Sequence, residues 1–81
     1  MTLSDFYNMM LRAGNSHDPI VYVFDDETEH DNYRNDWSGQ FLFVIQSTVV
    51  LKFVLKEKYS AARVCNFFAT GEDQVDVIID V

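Results

Sequence analysis

The residues best suited to chemistry stand together. Between Asp25 and Asp36 lie six carboxylates (Asp25, Asp26, Glu27, Glu29, Asp31 and Asp36) and His30, opposed by the single cation Arg34. Clustered carboxylate oxygens are what hard cations take as ligands. The spacing does not suit an EF-hand loop starting at Asp25, because the sixth place needs glycine and holds His30, and the last needs glutamate and holds Asp36. No metal ligand is assigned on this pattern. Displayed like phosphates, the same carboxylates suit a basic groove on another protein, which is the electrostatics of phosphate binding with the roles reversed. Glu72, Asp73, Asp76 and Asp80 would extend that face if the last strand lies beside it. The ordinary use of such a run is a solvated surface that keeps a chain soluble. Tyr33 and Trp37 flank the carboxylates, and aromatic groups beside charges anchor interfaces. They complete the candidate partner-binding set, although burial in a small core is the commoner fate of a residue like Trp37.

Other chemistries have less behind them. Ser16-His17-Asp18 holds the residue types of a catalytic triad, but a triad is assembled in space, each member orienting the next. As chain neighbours before Pro19 these three read as a turn. His17 and His30 stand outside any HxxxH or CxxC spacing and are expected to be exposed. Cys65 falls in an expected strand, where a buried thiol behaves as a small, unreactive hydrophobe. The three glycines, Gly14, Gly39 and Gly71, are too far apart for a phosphate-cradling loop, and no GxSxG, HExxH or P-loop pattern occurs. No catalytic residue and no cofactor are assigned.

Composition bounds the rest. Eighty-one residues at 48% hydrophobic and 15% aromatic form one domain over 1–81, and are too apolar for a disordered acidic tail. A net charge of -7 repels duplex DNA and anionic membranes and favours a basic partner. One cysteine cannot make an internal disulfide, although secreted chains this small usually need such staples. The first residues have neither a cationic start nor a long apolar run, so no signal peptide is expected. The apolar stretch 41–55 is interrupted by polar residues and shorter than the ~20 residues a bilayer span requires. A soluble, cytoplasmic protein is the expectation. Charge is also polarised along the chain: acids dominate residues 1–45, whereas Lys52, Lys56 and Lys58 outweigh Glu57 in 46–60.

The elements that must position these groups follow from periodicity. Residues 2–13 read as a helix, with Thr2 as N-cap, Leu3, Phe6, Tyr7, Met10 and Leu11 on adjoining stripes, and Gly14 as terminator. Ile20 to Asp25 is a strand that is apolar on both faces and therefore well covered or central. The segment 25–36 has no apolar period and reads as a loop or wide hairpin connection. Gln40 to Ile45 reads as a second strand. Ser47 to Tyr59 is ambiguous. Strand alternation puts Val49, Leu51, Phe53 and Leu55 on one face, whereas a helix gains Ser47 as N-cap and lysines near its C-terminus. Residues 62–69 and 74–81 form a hairpin around Thr70-Gly71-Glu72-Asp73, with Gly71 available for a positive φ, and Asp76 and Asp80 on the face opposite Val75, Val77 and Ile79.

The order of elements, with Leu3-Ser4-Asp5-Phe6, Val21-Tyr22-Val23-Phe24-Asp25-Asp26, Lys58-Tyr59, Arg63-Val64 and Val77-Ile78-Ile79, resembles a group of small acidic proteins of Gram-positive bacteria and their phages. That resemblance implies a helix over 47–58. The expected fold is thus a small α+β domain, helix–strand–strand–helix–strand–strand, with an antiparallel or mixed sheet and helices on one face; the alternative makes 47–58 a further strand. The expected function is that of an acidic, non-enzymatic interaction protein, in its sharpest form a phage or mobile-element inhibitor or nucleic-acid mimic acting on a basic nucleic-acid-binding partner. The alternatives are a metal-dependent enzyme or cation-binding protein using 25–36, and a structural homo-oligomer. Size favours binding, because about 800 Å² per partner makes an interface, whereas a deep catalytic pocket is harder to house in so small a domain.

Overall fold

In the computed structural model, which describes residues 1–13, 19–54, 59 and 62–80, three helices flank a four-stranded sheet. The elements in chain order are α1 (Leu3–Ala13), β1 (Ile20–Phe24), α2 (Glu27–Asp36), β2 (Phe43–Ile45), α3 (Thr48–Val54), β3 (Arg63–Gly71) and β4 (Gln74–Asp80). The strands lie in the order β2-β1-β4-β3, with β1 parallel to β4 and the other two pairings antiparallel. The fold is α+β with a mixed sheet, as expected. Between β1 and β4 the chain makes a long excursion, which parallel neighbours require.

Helix α1 begins where its cap dictates. The Asp5 amide donates to Thr2 Oγ1 at 3.2 Å and the Phe6 amide to the Thr2 carbonyl at 3.0 Å. Loss of the hydroxyl leaves an orphan amide, so Thr2→Ala should lower stability by about 1 kcal/mol in a denaturant titration; a change within error would show that solvent caps this end equally well. The helix buries Leu3, Phe6 and Tyr7 against Val21, Val23, Ile45, Leu51, Ala62, Val75, Val77 and Ile79. This is the main core. The central position expected for β1 holds, since its alternate residues Val21 and Val23 are fully buried on this face and Phe24 on the other. Pro19, lacking an N–H, sits immediately before the strand.

Four expectations need correction here. The segment 25–36 is a helix, not a loop or hairpin connection. Because α2 packs on Phe24 and α1 on the Val21 and Val23 side, the helices cover both faces of the sheet rather than one. The second strand is limited to Phe43–Ile45, leaving Phe41 and Leu42 exposed ahead of it. Gly71 has no positive φ: it ends β3, and the turn is Glu72-Asp73. The ambiguous segment is helical over Thr48–Val54, with Ser47 as N-cap, its Oγ accepting from the Val50 amide at 3.3 Å. That excludes a strand there, while 55–58 lies outside the described residues, as do 14–18, including Gly14 and the Ser16-His17-Asp18 turn, and Val81.

β3 is an edge strand and carries the devices that edges use. Two register shifts against β4 leave Cys65 and Thr70 as unmatched residues, which are β-bulges. At one end its outer side is covered by Met1, whose carbonyl accepts from the Val64 amide. Farther along, the Phe67 amide donates to the Asn66 side chain at 2.9 Å. Such features discourage pairing with another strand. Cys65 is exposed at its bulge rather than buried.

Candidate functional site

Aspartate is a poor strand former, yet Asp76 occupies the middle of the central strand β4 and is fully buried. It faces α2, between Tyr22 on β1 and Phe68 on β3. Arg34 forks onto it, Nε donating to Oδ2 at 2.5 Å and Nη2 to Oδ1 at 2.6 Å. His30 is 5% exposed, and its Nε2 lies 2.9 Å from Asp76 Oδ2. Against a carboxylate oxygen, an acceptor, the imidazole nitrogen takes the donor role. The bond to Asp76 also holds the Arg34 guanidinium more firmly protonated than an ordinary arginine. Asp76 therefore cannot extend an exposed acidic face, and His30 is a buried anchor rather than an exposed loop histidine.

Around this polar centre lies an aromatic second core. The His30 ring stacks on Phe68 at 4.8 Å and meets Phe24 edge-on at 5.0 Å. Tyr33 contacts Phe24, Phe41 and Trp37, and Arg34 lies 5.2 Å over its ring. Gly39 passes so close beneath the helix that a Cβ would overlap the Glu29 carbonyl and the Tyr33 amide.

Local capping explains why so polar a segment is helical. Asp26 is the N-cap, its Oδ1 accepting from the Thr28 amide at 2.7 Å. Glu27 and Glu29 occupy the first turn and Arg34 the last, the charge order the helix dipole favours. His30, Tyr33, Arg34 and Trp37 recur at i, i+3, i+4 and i+7, a helical stripe built from residues that aliphatic patterning overlooks. Asp26 with Glu29 three places on was the available signal, the spacing of a capping box.

With α2 anchored on one side, the candidate residues divide. Asp25, Asp26, Glu27, Asp31 and Asp36 are exposed. Glu29 is half-buried, and its Oε2 accepts from the Gln40 amide at 3.0 Å. Asp31 Oδ1 stands 3.6 Å from His30 Nδ1. Asp36 Oδ1 accepts from both the amide and hydroxyl of Ser38, at 3.0 and 2.5 Å, which holds its carboxyl below the usual aspartate range. Tyr33 is half-buried in the aromatic cluster. Trp37 departs from the expected core role: it is 74% exposed, at the C-terminus of α2, with φ 65° and ψ 14°. That left-handed conformation is uncommon for a bulky side chain. On the hairpin, Glu72 is exposed, and Asp80 pairs at the surface with Arg63 at 3.3 Å.

Among the described residues, no group of three or more His, Cys, Asp or Glu side chains is arranged to hold a metal ion, and no helix is long and apolar enough to cross a membrane. The chain matches no protein-family model, no curated protein and no solved structure.

Proposed function

We propose that this chain is a non-enzymatic interaction protein that uses the exposed carboxylates on and just before α2 to occupy a basic surface on a protein partner. The observation that carries this reading is the division of labour within one helix. His30 and Arg34 anchor it to buried Asp76, while Asp25, Asp26, Glu27, Asp31 and Asp36 are left exposed. A helix held in place displays its charges in a fixed array, so less side-chain and backbone freedom is lost on binding than from a loop. Fixed carboxylates facing a nucleic-acid groove would steer the encounter and compete with phosphates there. An inhibitor serving a phage or mobile element is the narrower form of the proposal, and it rests on the sequence resemblance. An interface of about 800 Å² would use roughly a sixth of the 5241 Å² surface.

The test joins capture to charge. A fourfold variant, Asp25→Asn, Asp26→Asn, Glu27→Gln and Asp31→Asn, keeps an N-cap at position 26, since asparagine caps as well as aspartate. Partner captured from host lysate by the parent protein should be displaced by duplex DNA and by salt. The variant should bind at least tenfold more weakly, with a flatter salt dependence. Capture that is indifferent to neutralisation would reduce the acidic face to a solubilising surface.

A further inference from the structure

We infer that the aromatic surface at the C-terminal end of α2 is a docking site for an arginine side chain of the protein partner, with Trp37 as its platform. This deepens the acidic-interface proposal and rests on it.

The surface is made of Trp37 and Phe41, which are 74% and 38% exposed and both pack on Tyr33. Leaving an indole in water forgoes the largest apolar burial any side chain offers, and here it does so in a backbone conformation suited to glycine. Two carboxylates bound this surface. Glu29 is one turn before Tyr33 and accepts from the Gln40 amide. Asp36, one turn after it, accepts from Ser38. In each, a single oxygen takes these bonds; among the described residues the second, Oε1 of Glu29 and Oδ2 of Asp36, has no hydrogen bond. Arg34, on the same helix, is committed to Asp76.

Charge complementarity selects the occupant. An apolar partner would bury these carboxylates unpaired, and an anion would be repelled, whereas a cation satisfies both the rim and the π-face. Between the two cationic side chains, arginine fits better. Its guanidinium is planar, is weakly hydrated, and can stack on a ring while its edge forks onto a carboxylate. The protein already makes this arrangement internally, where Arg34 lies over Tyr33 and forks onto Asp76.

Trp37 is the chain's one tryptophan, so indole emission excited beyond the tyrosine absorption band reports this site alone. Full-length protein is titrated with oligo-arginine and oligo-lysine peptides of equal length, following Trp37 emission in the parent and anisotropy of labelled peptide in the variants. Oligo-arginine should quench Trp37 and bind about threefold or more tighter than oligo-lysine, as a solvent-exposed cation–π contact implies. Trp37→Ala should abolish that preference and leave salt-dependent binding of both peptides. The fourfold charge variant should weaken both peptides alike. Equal binding of the two peptides by the parent, or a preference that survives Trp37→Ala, overturns the arginine site and leaves the acidic interface standing. Failure of both peptides to bind overturns both proposals. Sedimentation closes the remaining route: a dimer of the parent that Trp37→Ala dissociates assigns the surface to a second copy and overturns the proposal.

Discussion

Asp76→Ala is expected to destabilise the domain by about 3–5 kcal/mol, the cost of breaking a buried ion pair by removing one partner. The carboxylate is fully buried and receives three hydrogen bonds, two from Arg34 and one from His30. Its loss leaves the buried His30 imidazole without its partner and the part-exposed Arg34 guanidinium without its anchor. Domains of this size have roughly 4–12 kcal/mol in total at 0.05–0.15 kcal/mol per residue, so the variant should stand near its unfolding threshold. Chemical denaturation followed by circular dichroism measures the loss. Binding should fall with it, because α2 no longer holds its outer carboxylates in place. A partial rescue separates charge from shape: replacing Asp76, Arg34 and His30 together by apolar residues of similar volume removes the stranded groups and should recover much of the stability. If Asp76→Ala unfolds within 1 kcal/mol of the parent, the buried cluster is not what secures this helix.

Gly39→Ala is expected to cost about 2–3 kcal/mol, in the range of overpacking that backbone must absorb. The added methyl meets the Glu29 carbonyl and the Tyr33 amide, both main-chain atoms of α2, so no rotamer change can relieve it. The helix or the 37–41 connection must shift, and Phe41 and Trp37 would move from Tyr33 with it. Gly71→Ala is the matched control: the nearest atom to its Cβ is the Gln74 Cβ at 3.4 Å, an ordinary contact, and its φ is not positive. Its effect should stay within about 0.5 kcal/mol, as for surface substitutions generally. Thermal melts of the two variants side by side make the comparison; equal effects would mean that the approach of residue 39 to α2 is loose enough to adjust.

Both predictions concern α2, the element least legible from local pattern. Its inward stripe consists of His30, Tyr33 and Arg34, and two of those three residues read as polar. His30 and Arg34 are held inward by Asp76, 46 and 42 residues away along the chain. A search for aliphatic periodicity returns a loop there, although Asp26, Glu29 and Arg34 carry the capping and dipole signals of a helix. On β4 the same blindness worked from the other side, since alternation placed Asp76 away from Val75 and Val77 correctly but took that face for solvent. Trp37 escapes local pattern for a different reason. Hydrophobicity argues for burial of any indole, and only the end of α2 and the short β2 leave it without a cover.

By itself the sequence determined what near-neighbour physics controls. Thr2 and the Leu3, Phe6, Tyr7 spacing make α1; two apolar faces give β1 its covered place; and alternation either side of Thr70-Gly71-Glu72-Asp73 makes the β3–β4 hairpin. These follow from hydrogen bonds and burial within a turn or a strand of the chain. Tertiary structure alone decided that α2 crosses to the opposite face of the sheet, that Asp76 joins it there to His30 and Arg34, and which carboxylates remain in water. A buried charge is tolerable only beside its partners, and those partners come together only when β1 and β4 lie parallel and α2 closes over them.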